Sequence, residues 1–390
     1  MRQQLDVAPA LKGAGDIVRS AFASASDPHA IEKLAQALGP NDLELVILFV
    51  SPDADVARIT AQAARFFRPA PYVGCTTAGE IGETGYTEGE IVALGLPRRH
   101  FCSRILPIDN LDTYNSQALI DQLVRNRHEM AQETPTWEHE FSFLMIDGLS
   151  TKEDALVSDL APGLGPVPLF GGSSGDGTDF QRTYVINNGI ARSNAAVLIQ
   201  VRTLCPIRIL NSDHMKPTQD RMVVTGADPD RRIVREINAE PAAREYARLL
   251  GKDPENLTTF TFAAHPVVVR VGGSHHVRSI QRMCDNGDLV FYSAIDEGVV
   301  LTLADPADMV KHLQHEMDEL RDQGEPALVL ACDCVLRRQE AQQKQLTREI
   351  SRVLTENRVV GFCTYGEQIN SMHVNQTMTG VAIYPPEEPA

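Results

Sequence analysis

One pattern occurs three times along this chain: an apolar strand, a helical stretch, a second short strand and a turn made of small residues. In the first copy Leu43–Val50 leads into a helical stretch that opens at Ser51-Pro52-Asp53 and runs to Phe67. Tyr72-Val73 and Gly74-Cys75-Thr76-Thr77-Ala78-Gly79-Glu80 follow. The second copy runs from Phe141–Ile146 through Ser150–Leu160 to Leu169-Phe170 and Gly171-Gly172-Ser173-Ser174-Gly175-Asp176. The third consists of Ala327–Ala331, a helix over Gln339–Leu354, Val359-Val360 and Gly361-Phe362-Cys363-Thr364-Tyr365-Gly366-Glu367. A strand that returns in the same sense after a helical crossover lies parallel to its predecessor, in a right-handed βαβ unit. Three such units point to duplication within an α/β architecture. The first and third copies match best, sharing Gly-x-x-Thr-x-Gly-Glu, whereas the middle copy keeps only small hydroxyl and glycine residues before an acid.

Antiparallel pieces are interleaved with these units. Thr183–Ile186 and Ile190–Ala191 flank Asn187-Asn188-Gly189, a tight-hairpin signal. A mainly antiparallel stretch begins near Met222 and contains a helix from Pro241 to Leu250 that ends at Gly251. The polar, proline-containing segment Asp213–Gln219 separates the two halves. The expected organisation is a helical lead-in over 1–41, with a helix opened by Asp27-Pro28 and closed by Gly39, an α/β domain over 42–221 and a second over 222–390. The fold class is therefore α/β, with two domains, mixed sheets, repeated βαβ units and antiparallel hairpins.

Composition narrows the function. With 390 residues, 43% hydrophobic and 23% charged, the chain is globular and long enough for two cores. It has no apolar run of the roughly 18–20 residues needed to cross a bilayer and no secretory opening, so a cytoplasmic location without a membrane span is expected. A net charge of −16 disfavours a phosphate backbone, and nucleic acid is not an expected partner. Seven scattered cysteines read as reduced thiols.

The turns after parallel strands lie where α/β sheets place ligands, which makes Gly74, Thr77, Glu80, Ser173, Thr364 and Glu367 candidate ligand contacts. Neither a dinucleotide-binding glycine motif nor a phosphate-binding loop is present. Glu80 and Glu367 sit at matched places and either act as an acid–base pair, orient a polar ligand, or cap helices. Cys332 and Cys334 end one strand, and Cys363 lies on the next, a set that either binds metal or fills the core. Gly171-x-Ser173-x-Gly175 matches a nucleophile elbow but lacks the helix that should follow, so a binding protein is favoured over an enzyme. Eleven histidines permit haem, and the absence of Cys-x-x-Cys-His means that any haem would be non-covalent. His214, between the halves, and His373, after the third turn, are the candidate ligands.

Gly74–Ile81 and Phe170–Asp176 in the first half, with Arg235-Glu236-Ile237-Asn238, Val277-Arg278-Ser279 and Gly361–Glu367 in the second, resemble the FIST family of bacterial sensory proteins. The resemblance adds Arg278 to the candidate ligand contacts. His214-Met215-Lys216-Pro217-Thr218, Cys332-Asp333-Cys334 and His373–Gly380 are similar to the nitric-oxide-sensing haemoprotein branch called NosP. That similarity implies b-type haem, nitric oxide as the small ligand, and control of a separate sensor histidine kinase that affects biofilm behaviour, with a homodimer as one arrangement. A FIST sensor of a metabolite such as an amino acid, without haem, is the alternative.

Overall fold

The computed structural model describes residues 17–271 and 273–386. The part of the lead-in that falls on 1–16 lies outside them. The three copies seen in the sequence are three structural units of one design. Each runs strand, helix, strand, helix, strand, hairpin, strand. The first contains Arg19–Ser24, helix Ala30–Leu38, Leu43–Val50, helix Val56–Phe66, Tyr72–Thr76, the hairpin Glu80–Gly82/Gly85–Thr87, and Glu90–Pro97. The second contains Phe101–Asp109, helix Ser116–Glu133, His139–Ile146, helix Glu153–Leu164, Leu169–Ser173, the hairpin Val185–Asn187/Ile190–Arg192, and Ala195–Thr203. The third starts at Ile207–Ser212 and resumes with helix Met309–Arg321 and Leu328–Cys334. Two helices follow, Val335–Gln343 and Thr347–Glu356, where the sequence suggested one. Val359–Thr364, the hairpin Glu367–Ile369/Met372–Val374 and Met378–Ile383 complete it.

The expected parallel pairs are present: Leu43–Val50 with Tyr72–Thr76, His139–Ile146 with Leu169–Ser173, and Leu328–Cys334 with Val359–Thr364. Each unit builds a six-stranded sheet but sends its hairpin to a neighbour. The first unit's hairpin pairs with Val359–Thr364, the third's with Leu169–Ser173, and the second's with Tyr72–Thr76. This cyclic exchange locks the units together. Their inner faces meet in one core, where Phe49 stacks on Phe362 with centroids 4.5 Å apart and Phe143 on Phe170 at 4.9 Å. Alternate residues of the same strands, such as Val46, Leu48 and Val50, pack outward under the unit's own helices. Coverage on both faces explains why these strands read as continuous apolar runs. Each fully buried large side chain contributes about 1.5–3 kcal/mol.

Gly74, Gly171 and Gly361 hold equivalent places in the three second strands. A Cβ there would fall 2.3, 2.2 and 1.8 Å from the carbonyl oxygens of Leu48, Leu144 and Ala331. The repeated glycine, Gly74 included, is thus fixed by close strand packing.

Between Ser212 and Met309 the third unit carries an inserted eight-stranded antiparallel sheet, from Met215–Asp228 to Val300–Pro306, with its own core around Tyr246, Phe262 and Phe291. This is the antiparallel stretch read from the sequence. Its helix Ala242–Leu249 matches the expected Pro241–Leu250 to within a residue at each end.

Candidate functional site

Loops from all three units surround a cleft of about 810 Å3, within the size range of small-molecule sites. The first unit supplies Ser51–Ala57, where Asp55 caps helix Val56–Phe66 by accepting from Arg58 N at 3.1 Å, together with Ala78, Gly79 and Glu80. The second supplies Asp176–Asp179, Gln181, Arg182 and Tyr184. The Asp176 carboxylate ties this loop by accepting from the amides of Phe180, Gln181 and Arg182 at 2.8, 2.8 and 2.7 Å. The third supplies Arg338, Gln339 and Gln342 from helix Val335–Gln343. Arg338 donates to Glu88 at 2.9 Å and lies over the Tyr86 ring. A Cβ on Gly79, whose φ is +119°, would fall 1.5 Å from the Arg338 guanidinium, so only glycine admits the arginine there. Arg182 stacks on Tyr184 at 4.9 Å. Two arginines thus line the same cleft as a set of carboxylates that includes Asp53 and Asp179.

Glu80 and Glu367 do not cap helices, since each opens a hairpin strand. Thr77 Oγ1 donates to Glu80, and Thr364 Oγ1 to Glu367, three residues on in both cases. The second oxygen of Glu80 accepts from Glu90 N at 3.2 Å; that of Glu367 accepts from Thr377 N at 3.2 Å and Thr377 Oγ1 at 2.8 Å. Burial pushes Glu80 up to about 7 against the pull of Thr77, and Glu367 up to about 8 against Thr364 and Thr377. Each glutamate is satisfied inside its own hairpin connection, so the structure assigns them a stapling role. Of the seven residues proposed as ligand contacts, only Glu80 lines the cleft.

His214 is buried beside the start of the insert. Arg337 Nη1 lies 3.0 Å from its Nδ1, and its Nε2 lies 2.9 Å from Glu340. Arginine can only donate, so Nδ1 accepts and the ring gives its Nε2 proton to the carboxylate. Burial holds the imidazole below its usual range and neutral. Arg337 also pairs with Asp333 at 2.7 Å, and Asp333 accepts from Tyr86 of the first unit.

His373, Ser173 and Arg278 meet elsewhere, against the insert. Gln368 Nε2 donates to Ser173 Oγ at 3.0 Å and contacts His373 Nδ1 at 3.2 Å, and Arg278 donates to the His373 carbonyl at 2.6 Å. Ser173 Oγ also donates to Glu153 at 3.4 Å.

Residues 44–240 match the FIST N domain and residues 242–370 match the FIST C domain. The chain belongs to the FIST family. FIST domains are sensory domains that bind small ligands. No curated protein matches the chain. The boundary between the two FIST domains falls inside the inserted sheet, and the third unit draws its first strand, Ile207–Ser212, from the FIST N side. His214, one of the two candidate haem ligands, is engaged at both ring nitrogens. A haem iron needs an imidazole lone pair, but on His214 the acceptor nitrogen is engaged by Arg337. That ring does not fit an axial role as placed. The cysteines also do not form a ligand set. Cys363 is in register with Asp333, and Cys332 with Phe362, which puts Cys332 and Cys363 on opposite faces of the sheet. Burial pushes the thiols of Cys332 and Cys334 well up and that of Cys363 to about 12. Among the described residues no cluster of His, Cys, Asp or Glu is arranged for a metal, and no helix is long and apolar enough to cross a membrane.

Arg338, Arg182 and Asp53 were not among the sequence candidates. One signal was available for Arg338: Arg337-Arg338 falls in the first turn of a helix, where the macrodipole disfavours cations, so partners had to be present. Arg182 and Asp53 lie in loops and carry no such signal.

Proposed function

We propose that this FIST protein senses a small zwitterionic metabolite of the amino-acid class in the cleft between the three units. The observation that carries the reading is the layout of charge in a cleft of about 810 Å3. Arg182 and Arg338 suit a carboxylate, while Asp53 and Asp179 suit an ammonium. Helix Val335–Gln343 then conveys occupancy. One side of it presents Arg338, Gln339 and Gln342 to the ligand, and the other grips His214 through Arg337 and Glu340. His214 immediately precedes the strand Met215–Asp228 that begins the insert. A ligand that favours one helix position by about 1–3 kcal/mol changes the insert's preferred position by the same coupling. The signal passes to a separate protein, with a sensor histidine kinase as the candidate. Calorimetric titration with free amino acids, their amines and their acids tests the reading. Zwitterions are expected to bind best, and equal binding of either half-ligand overturns it.

A second reading follows from another cleft, of about 590 Å3, on the insert. Val269, Val271, Ile295, Val299 and Val300 wall it, and His275, Arg221, Arg270 and Arg278 line it, a chemistry that suits an amphipathic dianion such as haem b. His275 would hold the iron and the arginines the propionates. Bound there, haem would supply a coordination site for nitric oxide. Reconstitution should give a Soret band that is lost with His275→Ala and kept with His214→Ala.

A further inference from the structure

The arginine that the third unit brings to the cleft is held in an uneven pair. Arg338 has a side chain only 7% exposed, whereas Glu88, which accepts from its Nη2 at 2.9 Å, has one 74% exposed. Both residues line the cleft. A guanidinium buried this far is costly to leave without a partner, but an exposed carboxylate returns to water at little cost. Among the described residues, the one ion pair of Arg338 is with Glu88. Other contacts fix the arginine in place. It fills the space over Gly79, where a Cβ would fall 1.5 Å from it, and its guanidinium carbon lies 5.6 Å from the centre of the Tyr86 ring.

Glu88 hangs from a backbone that is held without its side chain. It stands between the hairpin strand Gly85–Thr87 and the closing strand Glu90–Pro97. Next to it the Gly89 carbonyl accepts from Ala25 N at 2.8 Å, and Glu90 N donates to Glu80 at 3.2 Å. The Glu88 side chain can therefore swing into water while the turn stays where it is. The same turn borders the acidic side of the cleft, since a Cβ on Gly89 would fall 3.7 Å from Asp53 Oδ2.

We infer that Glu88 stands in for the ligand's carboxylate: it occupies Arg338 while the cleft is empty and yields it to a carboxylate that enters. The inference rests on the amino-acid reading of the cleft and adds how that site is regulated. Glu88 engages the guanidinium through one oxygen and one nitrogen, whereas a free carboxylate can take two parallel N–H bonds. Two consequences follow from the exchange. A ligand meets an open arginine only in the fraction of molecules whose Glu88 has swung out, so Glu88 lowers the affinity by that fraction. An amine without a carboxylate has nothing to offer Arg338 and leaves the pair closed, so Glu88 also makes the carboxylate a requirement.

The test is NMR titration of the full chain, of Glu88→Gln, of Arg338→Ala and of the double variant with acetate, methylamine and the common L-amino acids. Glu88→Gln should tighten acetate and the amino acids that bind by about fivefold, the upper end of what a partly exposed ion pair is worth. Methylamine should gain nothing. The gain should also vanish when Arg338 is already alanine, because Glu88 then has nothing to block. A gain that survives there, or one that methylamine shares, reports only a change of charge in the cleft and overturns the inference. Amino acids that bind the parent and Glu88→Gln alike overturn it too, and leave the reading of the cleft standing. If acetate gains but no amino acid binds better than acetate, displacement holds and the amino-acid reading falls. Absence of binding by acetate and every amino acid, even to Glu88→Gln, overturns both.

Discussion

The first and third units fasten the entrance of their closing strand differently from the second. In the first and third, a glutamate that opens the hairpin takes a threonine hydroxyl three residues earlier and the amide of Glu90 or Thr377, at or just before the closing strand. In the second the carboxylate is Asp147, just past the central strand. It takes the hydroxyl of Thr183 and the amide of Asn194, directly before Ala195–Thr203. The same pair of donors is satisfied from a different place in the chain. The reason lies between Gly175 and Val185. There the second unit spends its turn on the loop that lines the cleft, whereas the other two enter the hairpin at once. Duplicated units thus keep a physical requirement, a buried acceptor for two donors, while the residue that meets it moves.

Removing the acceptors tests this equivalence most severely. Glu367→Ala and Asp147→Ala each leave buried donors unpaired and should cost about 3 kcal/mol in urea denaturation, with Glu80→Ala nearer 2 kcal/mol because it borders the cleft. If Asp147→Ala is neutral, the second unit has no such staple. pH sharpens the comparison. Burial raises Glu367 from 4.5 to about 8 and Glu80 from 4.5 to about 7. The unfolded chain releases these protons first, so stability should be full below pH 4.5, fall as pH rises, and level off near pH 8. Glu367→Gln should flatten the profile up to about pH 8 and Glu80→Gln up to about pH 7. A profile that rises over this window contradicts the assignment. The smallest effect is expected from the hydroxyls: Thr77→Val, Thr183→Val and Thr364→Val should each cost about 1 kcal/mol.

The units themselves were legible because period and polarity expose them: Leu43–Val50, Phe141–Ile146 and Ala327–Ala331 are largely apolar and each precedes a helix. Their mutual pairing was not. Hairpin exchange joins Glu80–Gly82 to Val359–Thr364, across more than half the chain, and no local pattern encodes such a partner. The matched Thr-x-Gly-Glu turns were found, but their role was not, because a carboxylate's partners depend on which strand arrives beside it. Alternation of side chains also decided the cysteines. The register with Val359–Thr364 sends Cys363 to the other face from Cys332, and Cys334 packs in a different cluster from Cys332. The sequence set His214 between two halves, and the structure has it just before the first strand of the insert. What the sequence withheld was Arg337, which reaches it from a helix that begins over a hundred residues later.

The central claim is that the three units together form one ligand site. It is tested most directly by titrating one amino-acid ligand into three variants with one change per unit: Asp53→Asn, Arg182→Ala and Arg338→Ala. Each should fold as the parent does and weaken binding by about tenfold, or about 1.4 kcal/mol. Undiminished affinity in all three would contradict the account, and loss confined to a single unit would contradict a site built by all of them.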